Sequence, residues 1–161
     1  MAQERSGMSD LRTTMPVLAR HEGVWEGHYR YFDAEGGLID QHTSRLICRF
    51  PDDGPYPYHQ TSIYRWADGR TETRDFPATW RDGRLNWGGD GNQGWAIEIS
   101  EDPRARTLML YWAREDAPNA YLYELIQISD CGRYRSRVGQ WIEDGRVRMR
   151  TLIDEQKVEQ P

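Results

Sequence analysis

The hydrophobic pattern changes character at Gly23. Ahead of it, Ser9 or Asp10 can cap a short helix and Pro16 suits the first turn of a second one. Val17, Leu18 and His21 fall on one helical face, and Gly23 ends the helix. Behind Gly23, apolar and polar residues alternate with the period of two that marks strands with one face buried. These runs predict strands at roughly 24–33, 38–50, 58–66, 70–76, 78–81, 84–87, 94–100, 106–114, 120–128, 133–142 and 146–153. The pieces 78–81 and 84–87 read together as one interrupted hairpin. So many segments exceed what an open twisted sheet of this length carries, so closure or a two-sheet sandwich is expected.

A recurring turn organises the strands. Asp68-Gly69, Asp82-Gly83 and Asp144-Gly145 each lie between alternating segments, and each is followed by Arg (70, 84 and 146). Asp-Gly favours the type I′ hairpin, whose two central residues need positive φ. Gly36-Gly37 and Cys131-Gly132 mark two more reversals. Closely spaced turns of this kind predict an all-β, antiparallel up-and-down barrel behind a short N-terminal helix. The division expected is a tail and helix over 1–22, a barrel over 23–155 and a tail over 156–161. A two-residue turn at 68–69 sets Trp66 opposite Thr71, Tyr64 opposite Thr73 and Arg65 opposite Glu72, the last an opposite-charge pair. The turn at 144–145 sets Ile142 opposite Val147, Trp141 opposite Arg148 and Gln140 opposite Met149.

Composition narrows the function. Of 161 residues 37% are hydrophobic and 29% charged, yet 7 are Trp and 9 Tyr, so large amphipathic rings carry much of the packing. A net charge of -5 disfavours a phosphate backbone or an anionic membrane as partner. The chain has no run of 18 apolar residues and no signal-type apolar core in its first twenty, which points to the cytoplasm. Cys48 and Cys131 lack metal-ligand spacing and read as buried thiols.

Gly23-Val24-Trp25 after a short helix resembles the Gly-x-Trp opening of lipocalins, where the Trp plugs the closed end of the barrel. The resemblance implies an Arg from the last strand over that Trp, and Arg148 or Arg150 is placed for it. With Thr43-Ser44-Arg45-Leu46 and the run from Gln60 to Arg70, the chain is similar to an uncharacterised bacterial lipocalin-like (calycin) family. That family is distantly related to the S-type phycobiliprotein chromophore lyases, which hold a linear tetrapyrrole in the barrel. No segment matches a bilin site residue by residue, so the likeness implies the barrel and not the pigment.

If Trp25 points inward, so do Gly27, Tyr29 and Tyr31. Pairing across Gly36 extends the inward set to Ile39, Gln41, Thr43, Arg45 and Ile47, a step that one residue of slip reverses. Tyr58, Gln60, Ser62, Tyr64 and Trp66 follow, then Thr71, Thr73 and Asp75. Later strands add Trp95, Ile97, Ile99, Met109, Tyr111, Tyr121 and Tyr123. The predicted ligand site is therefore Tyr29, Tyr31, Arg45, Gln60, Tyr64, Trp66, Trp95, Tyr111 and Tyr123, around a flat or conjugated molecule. Its carboxylate or carbonyl would sit near Arg45; the alternative for Arg45 is a cation-π contact with Trp25. Tyr29, Tyr64 and Asp75 are candidates for acid–base chemistry, and Tyr123 for a hydrogen bond to ligand, or each ring is a core ring. His21, His28, His42 and His59 lack metal spacing and read as surface residues; Glu98 and Glu124 read as solvated. The Gly88–Gly94 loop reads as a flap over the mouth.

No cofactor motif is present. Three functions fit: a binding protein for a small aromatic molecule, a cofactor-free lyase, isomerase or cyclase on the same barrel, or an interaction module whose outer aromatics face a homodimer partner.

Overall fold

The computed structural model describes residues 11–89 and 92–159. Ten antiparallel strands close into one barrel in the order β1-β10-β9-β8-β7-β6-β5-β4-β3-β2. They are β1 Gly23–Asp33, β2 Leu38–Arg49, β3 Tyr58–Arg65, β4 Thr71–Arg81 and β5 Arg84–Gly89, followed by β6 Asn92–Glu98, β7 Thr107–Arg114, β8 Ala117–Ile128, β9 Tyr134–Glu143 and β10 Arg146–Glu159. Each sequence neighbour is a sheet neighbour, and β10 closes on β1: the expected up-and-down barrel. Two segments expected as separate strands form the single β4, which runs through Pro77. That proline costs no ladder bond to β5, because β5 pairs with β4 only from Ala78 onward. β10 runs six residues past its expected end, to Glu159. The Ser9 and Asp10 caps, and Asp90 and Gly91 of the expected flap, lie outside the described residues.

Three identical dipeptides make two different turns. Asp82 and Gly83, like Asp144 and Gly145, all have positive φ (55°, 73°, 52° and 76°), as a type I′ turn requires. At 68–69 only Gly69 does (φ 92°). There Trp66 N donates to Arg70 O (2.9 Å) and Gly69 N to Trp66 O (3.1 Å), which makes a three-residue loop. The extra residue moves the register by one: Tyr64 faces Glu72 and Arg65 faces Thr71. The inward positions of β4 are therefore Glu72, Arg74 and Phe76, not Thr71, Thr73 and Asp75. A bulge between Tyr31 and Phe32 does the same to β2, where Tyr29 faces His42 and Trp25 faces Leu46. At 144–145 Val147 does face Ile142, but a bulge at Arg148 then sets Met149 opposite Trp141 and Arg150 opposite Gln140.

The helices α1 Leu11–Thr14 and α2 Pro16–Ala19 plug one end. The free N–H groups of Val17 and Leu18 donate to Glu98 Oε1 (2.7 and 3.0 Å), a carboxylate supplied from β6 rather than from the helix's own cap residue. Glu98 is thus held at the closed end instead of being solvated, and burial raises its pKa. Trp25 is fully buried over this plug, its Nε1 donating to His21 O at 2.9 Å. The cation over its ring is Arg135 from β9 (4.4 Å), with Lys157 of β10 at 5.1 Å. Arg148 instead pairs with exposed Glu143, and Arg150 is exposed. Both cysteines are free; Cys48 is buried as expected, whereas Cys131 is exposed. A hydrogen bond with Ser129 lowers the Cys131 thiol to about 7.

Candidate ligand-binding site

Above the plug the barrel is hollow. A cavity of about 240 Å³ runs from Leu18 and His21 at the closed end to Trp66, Glu72 and Arg74 at the other. It exceeds the ~150 Å³ apolar cavity that accommodates benzene in an engineered protein. Five predicted site residues line it: Tyr29, Tyr31, Gln60, Tyr64 and Trp66. All belong to β1 or to the segment running from β3, whose inward parity was read correctly from Trp25 and Tyr58.

The other predicted positions face outward. Arg45 donates to Glu26 Oε1 at 2.6 Å on the outer wall, because the β2 bulge turns it away from the lumen. Asp75 accepts from Thr61 Oγ1 at 2.7 Å and lies 3.5 Å from His59 Nε2, also outside. Trp95, Tyr111 and Tyr123 form a stack on the outer face of β6–β8, with centroids 5.6 and 5.5 Å apart. Ile97, Met109 and Tyr121 share that face. The inward residues there are Gly94, Ala96, Leu108, Leu110, Trp112 and Leu122. Gly94 shows why: a Cβ there would lie 2.4 Å from Trp112 Cε3, so the bulky ring needs a hydrogen beside it.

The wall beside Tyr29, on β8 to β10, carries the charge that the sequence reading placed elsewhere. Arg135, Arg137, Glu124 and Glu155 all point inward and are buried or nearly so. Arg135 clasps Glu155 through two bonds (Nε to Oε1 3.1 Å, Nη2 to Oε2 2.8 Å) and donates from Nη1 to His21 Nδ1 at 3.1 Å. Since a guanidinium only donates, His21 Nδ1 is an acceptor and the neutral ring carries its proton on Nε2. Burial, and then the neighbouring cations led by Arg135, push the His21 pKa well down. His21 Nε2 and Thr151 Oγ1, both in residues lining the cavity, have no hydrogen-bond partner among the described residues.

Arg137 donates from Nε to Glu124 Oε1 (2.5 Å) and from Nη1 to Tyr29 Oη (2.9 Å) and Glu155 Oε1 (3.4 Å). Its Nη2 has no partner among the described residues. Burial raises the Tyr29 pKa well above its ordinary value, although Arg137 pulls it down. The phenol therefore keeps its proton while accepting from Arg137. The four buried charges cancel in pairs, and the donors left over face a cavity walled by rings.

His42 completes the upper part. It is buried, contrary to the surface position expected, with its ring stacked on Tyr29 (4.7 Å) and packed against Trp66 (4.5 Å) and Tyr64 (4.8 Å). Nδ1 donates to Thr43 O (3.1 Å), so Nε2 accepts from Tyr31 Oη (3.1 Å). Burial lowers the His42 pKa. Sequence reasoning missed His42, Arg135, Arg137 and Glu124. The available signal was small residues of matching parity: Gly27, Gly94 and Gly139 all face the lumen, and Gly139 shares its parity with both arginines.

The chain has the fold of the S-type phycobiliprotein lyases. It superposes on the lyase CPES from Guillardia theta with a TM-score of 0.66 at 12% identity, over 98% of this chain and 96% of that one. It likewise resembles Rv2717c from M. tuberculosis (TM-score 0.59, 14% identity, 90% and 97% covered). A third likeness is a protein of unknown function from the DUF3598 family of Nostoc punctiforme (TM-score 0.68, 15% identity, 88% of this chain). This chain spans about half of that protein, 49% of its length. At such identities the likeness establishes the lipocalin-like barrel and nothing of the chemistry. The chain matches no family profile and no curated protein sequence. Among the described residues no helix is long and apolar enough to cross a membrane, and no group of three His, Cys, Asp or Glu is placed to hold a metal ion.

Proposed function

We propose that the barrel binds a small, flat, largely aromatic or conjugated molecule whose acidic or carbonyl oxygen is held by Arg137. The observation that carries this reading is a buried guanidinium with one unpartnered nitrogen in a ring-lined cavity. A ligand oxygen accepting from that nitrogen would gain a bond to a charged group, worth about 1.5–3 kcal/mol. The Tyr29 hydroxyl, still protonated, can donate to the same group. The rings of Tyr64, Trp66, Trp87 and Trp112 offer faces to a planar body. Binding of a small molecule by the lyase relatives would be in keeping with this, but the support here comes from this chain's own residues.

An anionic aromatic probe such as anilinonaphthalene sulfonate tests it by fluorescence titration. Binding at one site per chain is expected. Arg137→Met combined with Glu124→Gln, which leaves no lone buried charge, should weaken binding by about 1.5–3 kcal/mol, the usual worth of a bond to a charged group. Arg45→Ala, on the outer wall, should change nothing. Equal affinity for the wild type and the double variant would remove Arg137 as the anchor.

One observation favours a second reading, a cofactor-free proton transfer on the bound molecule. His42 is neutral, hydrogen-bonded to Tyr31, and placed among the rings that would hold a ligand. Its lowered pKa keeps the ring unprotonated at neutral pH, and Nε2 can take a proton once the Tyr31 hydroxyl turns from it to the ligand. In D₂O, deuterium uptake by a retained or added conjugated carbonyl compound should fall roughly 100-fold in His42→Gln. Uptake that is unchanged in that variant would leave the barrel as a binding protein only.

A further inference from the structure

One sector of the barrel is built inside out. Between β6 and β9 the lumen holds Glu124, Arg135 and Arg137, while the outer face is apolar. Two rows cross it. Trp95, Tyr111 and Tyr123 are paired in register, as are Ile97, Met109, Leu125 and Val138 below them. Tyr123, Leu125 and Val138 are 40%, 45% and 48% exposed, high values for such side chains. The outward positions of 93–97, 109–113, 121–127 and 136–142 include no Asp, Glu, Lys or Arg, in a chain that is 29% charged; Arg84 of β5 reaches over the β6 edge, its guanidinium 4.5 Å from the Trp95 ring centroid. The outer wall of β10, β1 and β2 is different: there Arg45 pairs with Glu26 and Arg30 with Asp154.

We propose that this outer wall, neutral across β7–β9, is where two copies of the chain associate, face to face. Charge argues for a second copy. Each chain carries a net -5, so two copies meet with least repulsion across β7–β9, where the outward positions hold no carboxylate and no basic residue. A two-fold contact also places the same patch on both sides, and a neutral patch of rings and aliphatic groups is self-complementary in a way that a charged one is not. A basic partner would find no countercharge on these positions, and an acidic one would find Arg84 at the β6 edge and none across β7–β9. Size agrees. Four strands about 4.8 Å apart, showing about five to seven residues each at ~3.4 Å, make a face of roughly 400 Å² in projection. Side-chain relief raises its accessible area towards the ~800 Å² per partner of a standard interface. Closure of the barrel leaves no free edge, so the contact uses side-chain faces rather than an added strand.

Sedimentation equilibrium of the full chain, over about two decades of concentration in the micromolar range, tests this directly. The expected species has twice the 18.9 kDa chain mass. Leu125→Arg and Tyr123→Arg place a charge on both sides of the contact and should each weaken association at least about 100-fold. Both side chains are exposed, so far-ultraviolet dichroism should be unchanged. Thr43→Arg, on the far wall, should leave the dimer intact. A wild type that stays monomeric throughout overturns the proposal, whether the wall then meets another protein, a lipid surface or solvent. A dimer that survives both arginine substitutions overturns it too, because the contact then lies elsewhere.

Discussion

Glu155→Ala is expected to lower the unfolding free energy by about 3–5 kcal/mol, the cost of leaving one partner of a buried ion pair without the other. Glu155 is fully buried and holds Arg135 through two bonds and Arg137 through a third. Arg135 also lies over Trp25 and donates to His21, so the loss reaches the plug as well as the cavity wall. Domains of this size have only about 5–15 kcal/mol to lose. Burial alone would raise the Glu155 pKa, but Arg135 and Arg137 outweigh it and the net shift is downward. A carboxyl depressed in the folded state stabilises above its unfolded pKa. The gap between wild type and variant should therefore be full at pH 7 and close as the pH falls below about 4.3. His21 acts at higher pH. Its folded pKa is lowered, so below about 6.5 the unfolded chain gains a proton that the folded one refuses, and stability of both proteins declines there. Urea unfolding at a series of pH values measures both effects. A loss under about 1 kcal/mol at pH 7 would show that the charged cluster does not hold the barrel together.

Trp25→Ala should cost about 3–5 kcal/mol, as expected for emptying a large, fully buried ring site. The ring belongs to the buried core cluster with Leu18, Leu46 and Ile153 and is topped by two cations. Removing it leaves the His21 carbonyl without its donor and the Arg135 guanidinium without its aromatic face. Trp95→Ala is the matched comparison: the same residue type on the outer wall, stacked on Tyr111, should cost no more than about 1 kcal/mol in the isolated chain. Denaturant midpoints of the two variants decide the point. Similar losses would contradict the assignment of inner and outer faces on which the cavity depends.

Parts of the cavity were legible in the sequence because they lie on strands whose parity is anchored. Trp25 sets β1, and Tyr29 and Tyr31 follow from the period of two. The β3 set from Tyr58 to Trp66 was placed by its own rings. Beyond those strands, the parity depended on turn length and on bulges. A three-residue loop at Asp68-Gly69 and bulges near Ile39 and Arg148 each shifted one register, and one residue of shift reverses a whole strand. Arg45 and Asp75 were lost to the site in this way, and His42, Glu72 and Arg74 gained.

In β6–β9 a different rule failed. On β6 to β8 the expectation puts rings and aliphatic residues inside because burying them is favourable in a lone chain. Here the inner face needed room beside Trp112 and held charges that satisfy one another, so Trp95, Tyr111 and Tyr123 stayed outside.

By itself the sequence determined the barrel: the alternation, the Asp-Gly turns and Trp25 two residues after Gly23 are local signals, and local signals suffice to say which segments are strands and that neighbours pair. Which face of each strand looks inward was decided by tertiary structure. That choice rests on loop length to the residue, on the volume available in a closed lumen, and on whether Arg137 can meet Glu124 across neighbouring strands. None of these is a property of any one segment.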